Sequence, residues 1–171
     1  MQQNDSFIFM SPIGQIRIVS SGEFISELEF EDEEKAITHS SMDAASPVII
    51  KAITELQAYF SGESRSFNFP VSQTGTEFQQ QVWNELINIP YGKTISYLEL
   101  SKRLGDPKNI RAAASANGKN KLAIVVPCHR VIGSDGGLTG YAGGLWRKQW
   151  LLEHERKFAY GEQLLFAQNI D

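Results

Sequence analysis

Residues 96–118 of the chain read SYLELSKRLGDPKNIRAAASANG, and this stretch predicts two short helices joined by a tight turn. Ser96 and the glutamate three residues later form a capping box, which opens a first helix over residues 97–104. Gly105 ends that helix, and an Asp-Pro pair starts a second one over residues 108–117. Two short helices connected in this way form a helix-turn-helix unit, a motif that also occurs in proteins that do not bind DNA.

The second of these helices is unusual because residues 110–116, IRAAASA, are nearly all small. A recognition helix that reads the major groove presents long polar side chains to base edges, whereas this one offers a smooth face and one arginine, Arg111. Such a face suits close approach to the minor groove and contact with the DNA backbone, independent of base sequence. The alternative is that the alanines pack against the preceding helix, and some of them can do both.

A second informative stretch lies at residues 124–133, IVVPCHRVIG, which contain the only cysteine of the chain. The apolar run over residues 122–126 predicts a buried strand, which Pro127 ends. Cys128 with His129 beside it is a candidate nucleophile with its base, although a lone cysteine is by default a buried structural residue. A free thiol has a pKa of about 8.5 and is mostly protonated at neutral pH, so a nucleophilic Cys128 needs that base.

The N-terminal part of the chain predicts a β-meander. Apolar and polar residues alternate over residues 6–10, 15–20 and 25–30, with glycine-containing turns between them. The charged and small residues 31–46 indicate an exposed loop or a loose helix.

A regular helix is predicted next, with Ser46 as its N-cap and Gly62 as its end, because apolar residues recur between them at helical spacing. Residues 67–71 predict one more strand, and residues 72–75 are the expected linker between two domains. Beyond the linker, Thr76 opens another helix with a capping box.

The C-terminal part contains a glycine-rich loop and a last helix. Residues 133–144 hold six glycines, and glycines near a reactive cysteine let backbone N–H groups approach a ligand closely. The last helix is predicted over residues 145–157, and the tail from Phe158 is expected to be a loosely packed extension.

The composition is that of a globular protein of one domain or two small ones, with 171 residues, 42% hydrophobic content and one cysteine. One thiol excludes an internal disulfide and a thiol-based zinc site, so we expect a reducing cytoplasm. We expect no signal peptide and no membrane-spanning run. The net charge of −4 is uneven, because residues 1–75 carry −7 and residues 76–171 carry +3, which suits a basic working half joined to an acidic one.

Three motifs carry a resemblance to a known family. They are PCHRVIG at residues 127–133, GLTGYAGG at residues 137–144 and WLLEHE at residues 150–155. Together they resemble the O6-alkylguanine-DNA alkyltransferases, which are methylated-DNA–protein-cysteine methyltransferases. The PCHRV core is highly specific, and the resemblance is close over residues 76–155 and holds only in outline before them.

This resemblance implies an α/β fold in two domains. Residues 1–72 would form an N-terminal, ribonuclease H-like domain with a small mixed or antiparallel sheet. Residues 76–171 would form a mostly helical, winged-helix-like domain that contains the helix-turn-helix and the active site.

The resemblance also implies a function in DNA repair. An alkyl group passes directly, irreversibly and stoichiometrically from O6-alkylguanine in duplex DNA to Cys128, with O4-alkylthymine as a further candidate substrate. The alkyl carbon is inaccessible inside the stack, so the base must be flipped out. The expected activation chain runs from Cys128 through a water to His129 and Glu155, and Asp135 is the nearest rival carboxylate. No cofactor or metal is expected. Alkylated duplex DNA is the expected partner of a monomer that needs neither a membrane nor an obligate protein partner.

Individual residues take further roles from the same resemblance. Arg111 matches the arginine that enters the base stack, and Tyr97 matches the tyrosine that rotates the 3′ phosphate and protonates the departing guanine. Lys148 matches the lysine that contacts Tyr97. Asn120 matches the asparagine that bridges the helix-turn-helix and the cysteine segment. The residues expected around the base and the DNA are the lid Tyr141, the wall formed by the backbone of Cys128, Val131, Ala142 and Gly143, and the further contacts Ala112, Ser115, Asn117 and Arg130.

Two positions depart from the family pattern, and three other function classes are alternatives. Ala142 stands where some members have serine, and Asn117 stands at a position that is often apolar, so the range of adducts stays open. Non-catalytic relatives bind alkylated DNA with the cysteine replaced, but Cys128 is present here. A cysteine hydrolase or acyltransferase usually takes its histidine from a distant part of the sequence. A transcription regulator would need a further domain.

Overall fold

The computed structural model describes residues 4–32 and 41–161, which fall into two compact units. The first unit contains the described residues up to Thr74 and also Lys121–Val125. The second contains Gly75–Asn120 and the described residues from Val126 onward. The chain therefore returns to the first unit for five residues between the helix-turn-helix and the cysteine.

The first unit is built on the predicted β-meander, which is confirmed. Its strands are β1 (Asn4–Ser11), β2 (Gly14–Ser21) and β3 (Phe24–Glu31), and they pair antiparallel in the order β1-β2-β3. Alternation along the central strand buries Ile16 and Ile18 completely, as expected of a sheet with one covered face. The helix α1 (Pro47–Ser61) supplies apolar residues to the same core.

The helix α1 begins and ends where the sequence indicates. Ser46 is its N-cap, with Pro47 in the first helical position. Gly62 ends it in the left-handed conformation, with φ of 83°. Of the predicted loop over residues 31–46, half lies outside the described residues, and Met42–Ala44 form a short 3-10 helix.

Two predicted strands of this unit are wrong. Residues 67–71 make only one parallel bridge, between Val71 and Ile25, and residues 122–126 make only one, between Leu122 and Leu28. Both partners lie on β3, whose free side thus receives two single contacts instead of one continuous strand.

The apolar run before the cysteine leaves the sheet through a γ-turn. The amide of Val125 donates to the carbonyl of Ala123 at 2.8 Å, and Ile124 between them has φ of 71°. A positive φ at a β-branched residue is uncommon and strained. Periodicity alone cannot distinguish such a buried turn from a buried strand.

The second unit is mainly helical, and its predicted helices are confirmed. They are α2 (Glu77–Ile87), α3 (Tyr97–Arg103), α4 (Ile110–Gly118) and α5 (Leu145–Tyr160). Both bonds of the Thr76 capping box are present, and the Ser96 hydroxyl accepts from the amide of Glu99. The helices α3 and α4 form the helix-turn-helix. The fold class predicted from the sequence, an α/β N-terminal domain followed by a mostly helical one, is confirmed.

A short parallel pairing that the sequence does not indicate connects the helix-turn-helix to the cysteine segment. Strand β4 (Ile95–Ser96) pairs with β5 (Val131–Ile132), with Ile95 opposite Val131. The first strand runs directly into α3, and the second begins three residues after the cysteine. Two-residue strands carry no periodic signal, so only the folded structure identifies them.

The last helix is longer than predicted. It continues to Tyr160, so Phe158, at the start of the expected loose tail, is helical, and its ring packs against His154 at 4.8 Å between centroids. The tail beyond Gly161 lies outside the described residues. None of the helices in the described part of the chain has the length and apolar character needed to cross a membrane.

Trp83 connects α2 to α4. It is buried on α2, and its indole N–H donates to the carbonyl of Ala116 at 2.9 Å. We expect Trp83→Phe to lower the free energy of unfolding by about 1–3 kcal/mol, because the bond is lost and the smaller ring underfills the core. Urea denaturation measures this. Trp146→Phe, at a tryptophan that is 57% exposed, is the matched control and should change it by less than about 0.5 kcal/mol.

Candidate active site

Cys128 lies in a short 3-10 helix, Cys128–Arg130, that follows a second γ-turn. The amide of Cys128 donates to the carbonyl of Val126 at 2.8 Å across Pro127, whose ring restricts φ, here −81°. Cys128 is 7% exposed and contributes to the lining of a cavity.

The cavity has a volume of about 400 Å³ and lies entirely within the second unit. Its walls come from the helix-turn-helix, the cysteine segment and the glycine-rich loop before α5. The lining residues are Tyr97, Ile110, Arg111, Ala114, Asn117, Gly118, Asn120, Cys128, Thr139, Gly140, Tyr141 and Ala142. Eight other predicted site residues do not line the cavity, namely His129, Glu155, Lys148, Ala112, Ser115, Arg130, Val131 and Gly143.

His129 and Glu155 form a buried pair beside the thiol. Nε2 of His129 lies 2.8 Å from Oε1 of Glu155, and both side chains are almost fully buried. A carboxylate accepts only, so Nε2 carries a proton and Nδ1 of a neutral imidazole is the basic atom. Nδ1 is buried and has no hydrogen-bond partner among the described residues. The arrangement is that of a base whose tautomer is set by a carboxylate.

Asp135, the alternative carboxylate, is not the hydrogen-bond partner of His129. Its Oδ1 accepts from the amide of Gly137 at 2.9 Å, within its own turn. The histidine's partner is Glu155, contributed by α5.

Arg130 is the second partner of the Glu155 carboxylate. Its Nε donates to Oε2 and its Nη2 to Oε1, each at 2.8 Å, while Nη1 donates to the carbonyl of Ile89 at 2.8 Å. Burial by itself raises the pKa of Glu155, but the charges and hydrogen bonds of His129 and Arg130 outweigh it and lower that pKa well below its usual range. The carboxylate therefore stays ionised at neutral pH.

The structure places Arg130 differently from its sequence-based interpretation as a DNA or substrate contact. It is 7% exposed, its guanidinium is engaged in the interior, and it does not line the cavity. The sequence offers one signal, since an arginine next to a buried segment needs an acidic partner. The partner itself is distant along the chain.

The surroundings of the thiol hold it protonated in the absence of a base. Burial raises the pKa of Cys128, and this effect outweighs the hydrogen bond from Asn120, the positive charge of Lys148 and the nearby amides of Cys128 and His129. The thiol is therefore weakly nucleophilic at neutral pH unless His129 takes its proton.

Tyr97 and Lys148 meet at one carbonyl on the cavity's edge. The Tyr97 hydroxyl and the Lys148 ammonium both donate to the carbonyl of Thr139 at 3.1 Å, and Nζ lies 5.7 Å from the centre of the tyrosine ring. Lys148 is completely buried, and burial lowers its pKa to about 8, against the opposing effect of Cys128. Burial also raises the pKa of Tyr97. The two side chains that the resemblance pairs are thus in contact.

Two asparagines connect α4 and the residues after it to the cysteine segment. Nδ2 of Asn120 donates to the carbonyl of Val126 at 2.8 Å, and Nδ2 of Asn117 donates to the carbonyl of Cys128 at 3.4 Å. Both side chains are buried and line the cavity. Loss of either amide would free the turn that orients the thiol.

The alanine-rich helix α4 divides into two faces. Arg111, Ala112 and Ser115 are exposed, whereas Ala113 and Ala116 are buried. Packing therefore accounts for part of the small-residue pattern, and a smooth exposed face accounts for the rest.

The predicted base wall is only partly on the cavity surface. Cys128 and Ala142 of that wall line the cavity, as does the predicted lid Tyr141, but Val131 is fully buried in β5. Gly143 lies outside the lining, and its carbonyl accepts from Nη1 of Arg147 at 2.9 Å.

Two family models match the chain. The first, described as the DNA binding domain of 6-O-methylguanine DNA methyltransferase, matches residues 77–157. The second, the ribonuclease-like domain of the same family, matches residues 7–73. Together they cover most of the chain.

Similar proteins match the chain over most of its length. The methylated-DNA–protein-cysteine methyltransferase of Mycobacterium tuberculosis is 43% identical over 91% of this chain and 94% of its own length. The Methanosarcina acetivorans protein of that name is 46% identical over 86% of this chain and 96% of its own. The crystal structure of the M. tuberculosis O6-methylguanine methyltransferase superimposes with a TM-score of 0.81 at 38% identity, covering 96% and 99% of the two chains. That of M. tuberculosis OGT in complex with DNA gives 0.79 at 42% identity, covering 94% and 98%.

Replacing the carboxylate tests whether it activates the thiol. We expect Glu155→Gln to move the pH at which iodoacetamide alkylates Cys128 upward by roughly one to two units, since the imidazole loses a charge-assisted hydrogen bond to its orienting anion. The rate of alkylation, followed by mass spectrometry from pH 5 to 10, measures this. Glu153→Gln, on the exposed side of the same helix, is the matched control and should leave the profile in place. An unshifted profile in a Glu155→Gln protein with a normal melting transition would remove Glu155 from the activation chain.

Proposed function

Because this chain belongs to the 6-O-methylguanine DNA methyltransferase family, we propose that it repairs duplex DNA by transferring the alkyl group of an O6-alkylguanine to the sulfur of Cys128. The observation that carries this proposal is the buried thiol in a cavity beside a helix-turn-helix, with the His129–Glu155 pair next to it. The DNA complex of the M. tuberculosis relative supports duplex DNA as the partner of the monomer. O4-alkylthymine is a further candidate substrate.

Access to the alkyl carbon requires that the damaged base leave the stack. The alkyl group on O6 is inaccessible inside a duplex, so the base is flipped into the cavity beside Cys128. Arg111, exposed on α4 and at the cavity's edge, occupies the vacated place in the stack. The exposed small residues Ala112 and Ser115 allow the close approach to the minor groove that flipping from any sequence context needs.

Transfer begins with removal of the thiol proton. Nδ1 of His129 takes it through a bridging water, and Glu155 balances the positive charge that forms on the imidazole. The thiolate sulfur then attacks the alkyl carbon, the carbon–sulfur bond forms, and the carbon–oxygen bond to O6 breaks. The electron pair of that bond stays on the guanine, which takes up a proton as it leaves.

The proton for the departing guanine comes from the pair at the Thr139 carbonyl. The Tyr97 hydroxyl is the donor, and Lys148 beside it favours charge separation by stabilising the thiolate before attack and the phenolate after proton transfer. Asn120 and Asn117 hold the cysteine turn during the step. Contacts to the base come from the ring of Tyr141 and from the backbone near Ala142 and Gly143.

Two further assignments belong to this proposal. Residues 1–72 and 76–171 act as separate domains, except that Lys121–Val125 belong to the first unit, and the second contains the whole of the cavity and the helix-turn-helix. The protein acts in the cytoplasm, where DNA is accessible and reducing conditions keep the single thiol available.

The product determines how often the protein can act. A thioether has no carbonyl that water can attack, in contrast to the thioester of a cysteine hydrolase. We therefore expect one repaired guanine per protein molecule and a mass increase of one methyl group on Cys128. Titrating an excess of O6-methylguanine duplex against a known amount of protein, and counting both products by mass spectrometry, tests this. Cys128→Ser is the control, and it should bind the duplex but repair nothing. Several repaired guanines per molecule with unmodified Cys128 would contradict the mechanism.

Replacing Arg111 distinguishes base flipping from the alkyl-transfer step itself. We expect Arg111→Ala to slow transfer from duplex DNA roughly tenfold or more, since the flipped state loses the side chain that fills the stack. Transfer from free O6-benzylguanine should keep its rate, because that substrate needs no flipping. Single-turnover kinetics with both substrates measure this, with Arg65→Ala, an exposed arginine of the first unit, as the matched control. An equal loss with both substrates would assign Arg111 to the chemistry of the cavity instead.

A further inference from the structure

Arg130 is engaged at three of its donor groups, although it is a side chain that usually lies at the surface. Two donors hold the two oxygens of Glu155, and the third holds the carbonyl of Ile89, all at 2.8 Å. The ring of Tyr91 faces the guanidinium at 5.6 Å from its centre. One arginine thus links the segment after α2, the cysteine turn and α5.

We infer that Arg130 is a positioning residue for alkyl transfer, which acts by holding the carboxylate of Glu155 in the orientation that anchors the imidazole of His129. This inference rests on the proposed function. It replaces the sequence-based interpretation of Arg130 as a DNA contact.

The geometry around the carboxylate gives the reason. Oε1 of Glu155 accepts from Nε2 of His129 and from Nη2 of Arg130, both at 2.8 Å. Oε2 accepts from Nε of Arg130 at 2.8 Å and from the amide of Gly92 at 3.4 Å. With the bidentate arginine in place, the carboxylate cannot rotate about its terminal bond without breaking bonds at both oxygens. The single hydrogen bond from His129 to Oε1 would not by itself fix the orientation of the Glu155 carboxylate.

Gly92 completes this arrangement because its position excludes a side chain. Its φ is 77°, and a Cβ there would lie 2.6 Å from the Cβ of Ala159 on α5. The Tyr91–Gly92 turn can therefore pack directly on α5, which brings its amide to Oε2 of Glu155. The carboxylate on α5 is surrounded by donors from two other segments, the cysteine turn and the turn after α2.

The surroundings of Arg130 do not fit a contact with DNA. Arg130 is 7% exposed, and its described contacts are the carboxylate, a main-chain carbonyl and an aromatic ring. Using it to bind a phosphate would break a buried ion pair and leave Glu155 without the side chain that bonds both of its carboxylate oxygens.

A double-mutant cycle on the transfer rate tests the inference. The variants are Arg130→Met, which keeps much of the volume without the charge, Glu155→Gln, and the two combined. Single-turnover methyl transfer is measured at saturating O6-methylguanine duplex, so that the rate is independent of DNA affinity. We expect each single variant to be slower by roughly 10- to 100-fold, the usual effect of losing an orienting partner of a functional side chain. The combined variant should be within about threefold of the slower single one, because Arg130 acts through the charge of Glu155.

Two controls accompany the cycle. Arg156→Met removes the exposed arginine next to Glu155 in sequence, and it should change neither the rate nor the effect of Glu155→Gln. Arg130→Lys keeps the charge but cannot form the two parallel bonds, so we expect an intermediate rate. If Arg130→Met fails to fold, the cycle is run with Arg130→Lys, for which the same non-additivity is expected.

The outcomes separate the hypotheses. Losses that multiply in the combined variant, or a wild-type rate in Arg130→Lys, would overturn the positioning role. A weaker affinity for DNA with an unchanged saturated rate in Arg130→Met would restore the DNA contact. Absence of methyl transfer by the wild-type protein would contradict the proposed function itself, which the wild-type arm of the cycle measures independently.

Discussion

The second unit depends on one buried charge, the carboxylate of Glu155. A carboxylate without solvent is costly unless donors surround it, and here they come from the cysteine turn and from the turn after α2. These segments are far apart in the chain. Satisfying one carboxylate therefore sets the positions of α5, the cysteine turn and the end of α2 together. The imidazole of His129 obtains its orientation as part of this arrangement, so that stability and chemistry depend on the same contacts.

Burial of Cys128 keeps the resting thiol unreactive, and it also strengthens the interactions that activate the thiol when a substrate is bound. Burial raises the pKa of Cys128, so the resting side chain is a weak nucleophile toward molecules in solution. Activation comes from several modest influences, which include the base His129, the amide of Asn120 and the ammonium of Lys148. Burial lowers the pKa of Lys148 to about 8, so at neutral pH it is still mainly charged and favours the thiolate. A substrate that fills the cavity excludes water and strengthens each of these interactions.

Local sequence signals predicted the parts of this fold that have local causes. The Thr76 capping box, the Ser96 N-cap, the helix ends at Gly62 and Gly105, and the alternating strands of the meander depend on residues a few positions apart. The parallel pairing of β4 with β5 and the engagement of Arg130 depend on partners dozens of residues away, which no spacing rule identifies. The pairing of His129 with Glu155 came from the family resemblance, and the chain's own pattern left Asp135 as a rival. The residue types by themselves identified His129 as the candidate base. They did not identify which carboxylate accepts the hydrogen bond from its imidazole.

The wrongly predicted strand before the cysteine is the most instructive difference. In a continuous strand, side chains two residues apart share a face, so Cys128 would lie on the same face as Leu122, Ile124 and Val126. Those three residues are at most 2% exposed, and a thiol among them would be closed off from any substrate. The γ-turns at Ile124 and Pro127 break that alternation at a cost of about 1–3 kcal/mol for the positive φ. The apolar side chains stay in the core while the sulfur reaches the cavity. The strained turn at Ile124, four residues before the nucleophile, and the inverse γ-turn at Pro127 thus separate the buried apolar segment from the reactive sulfur.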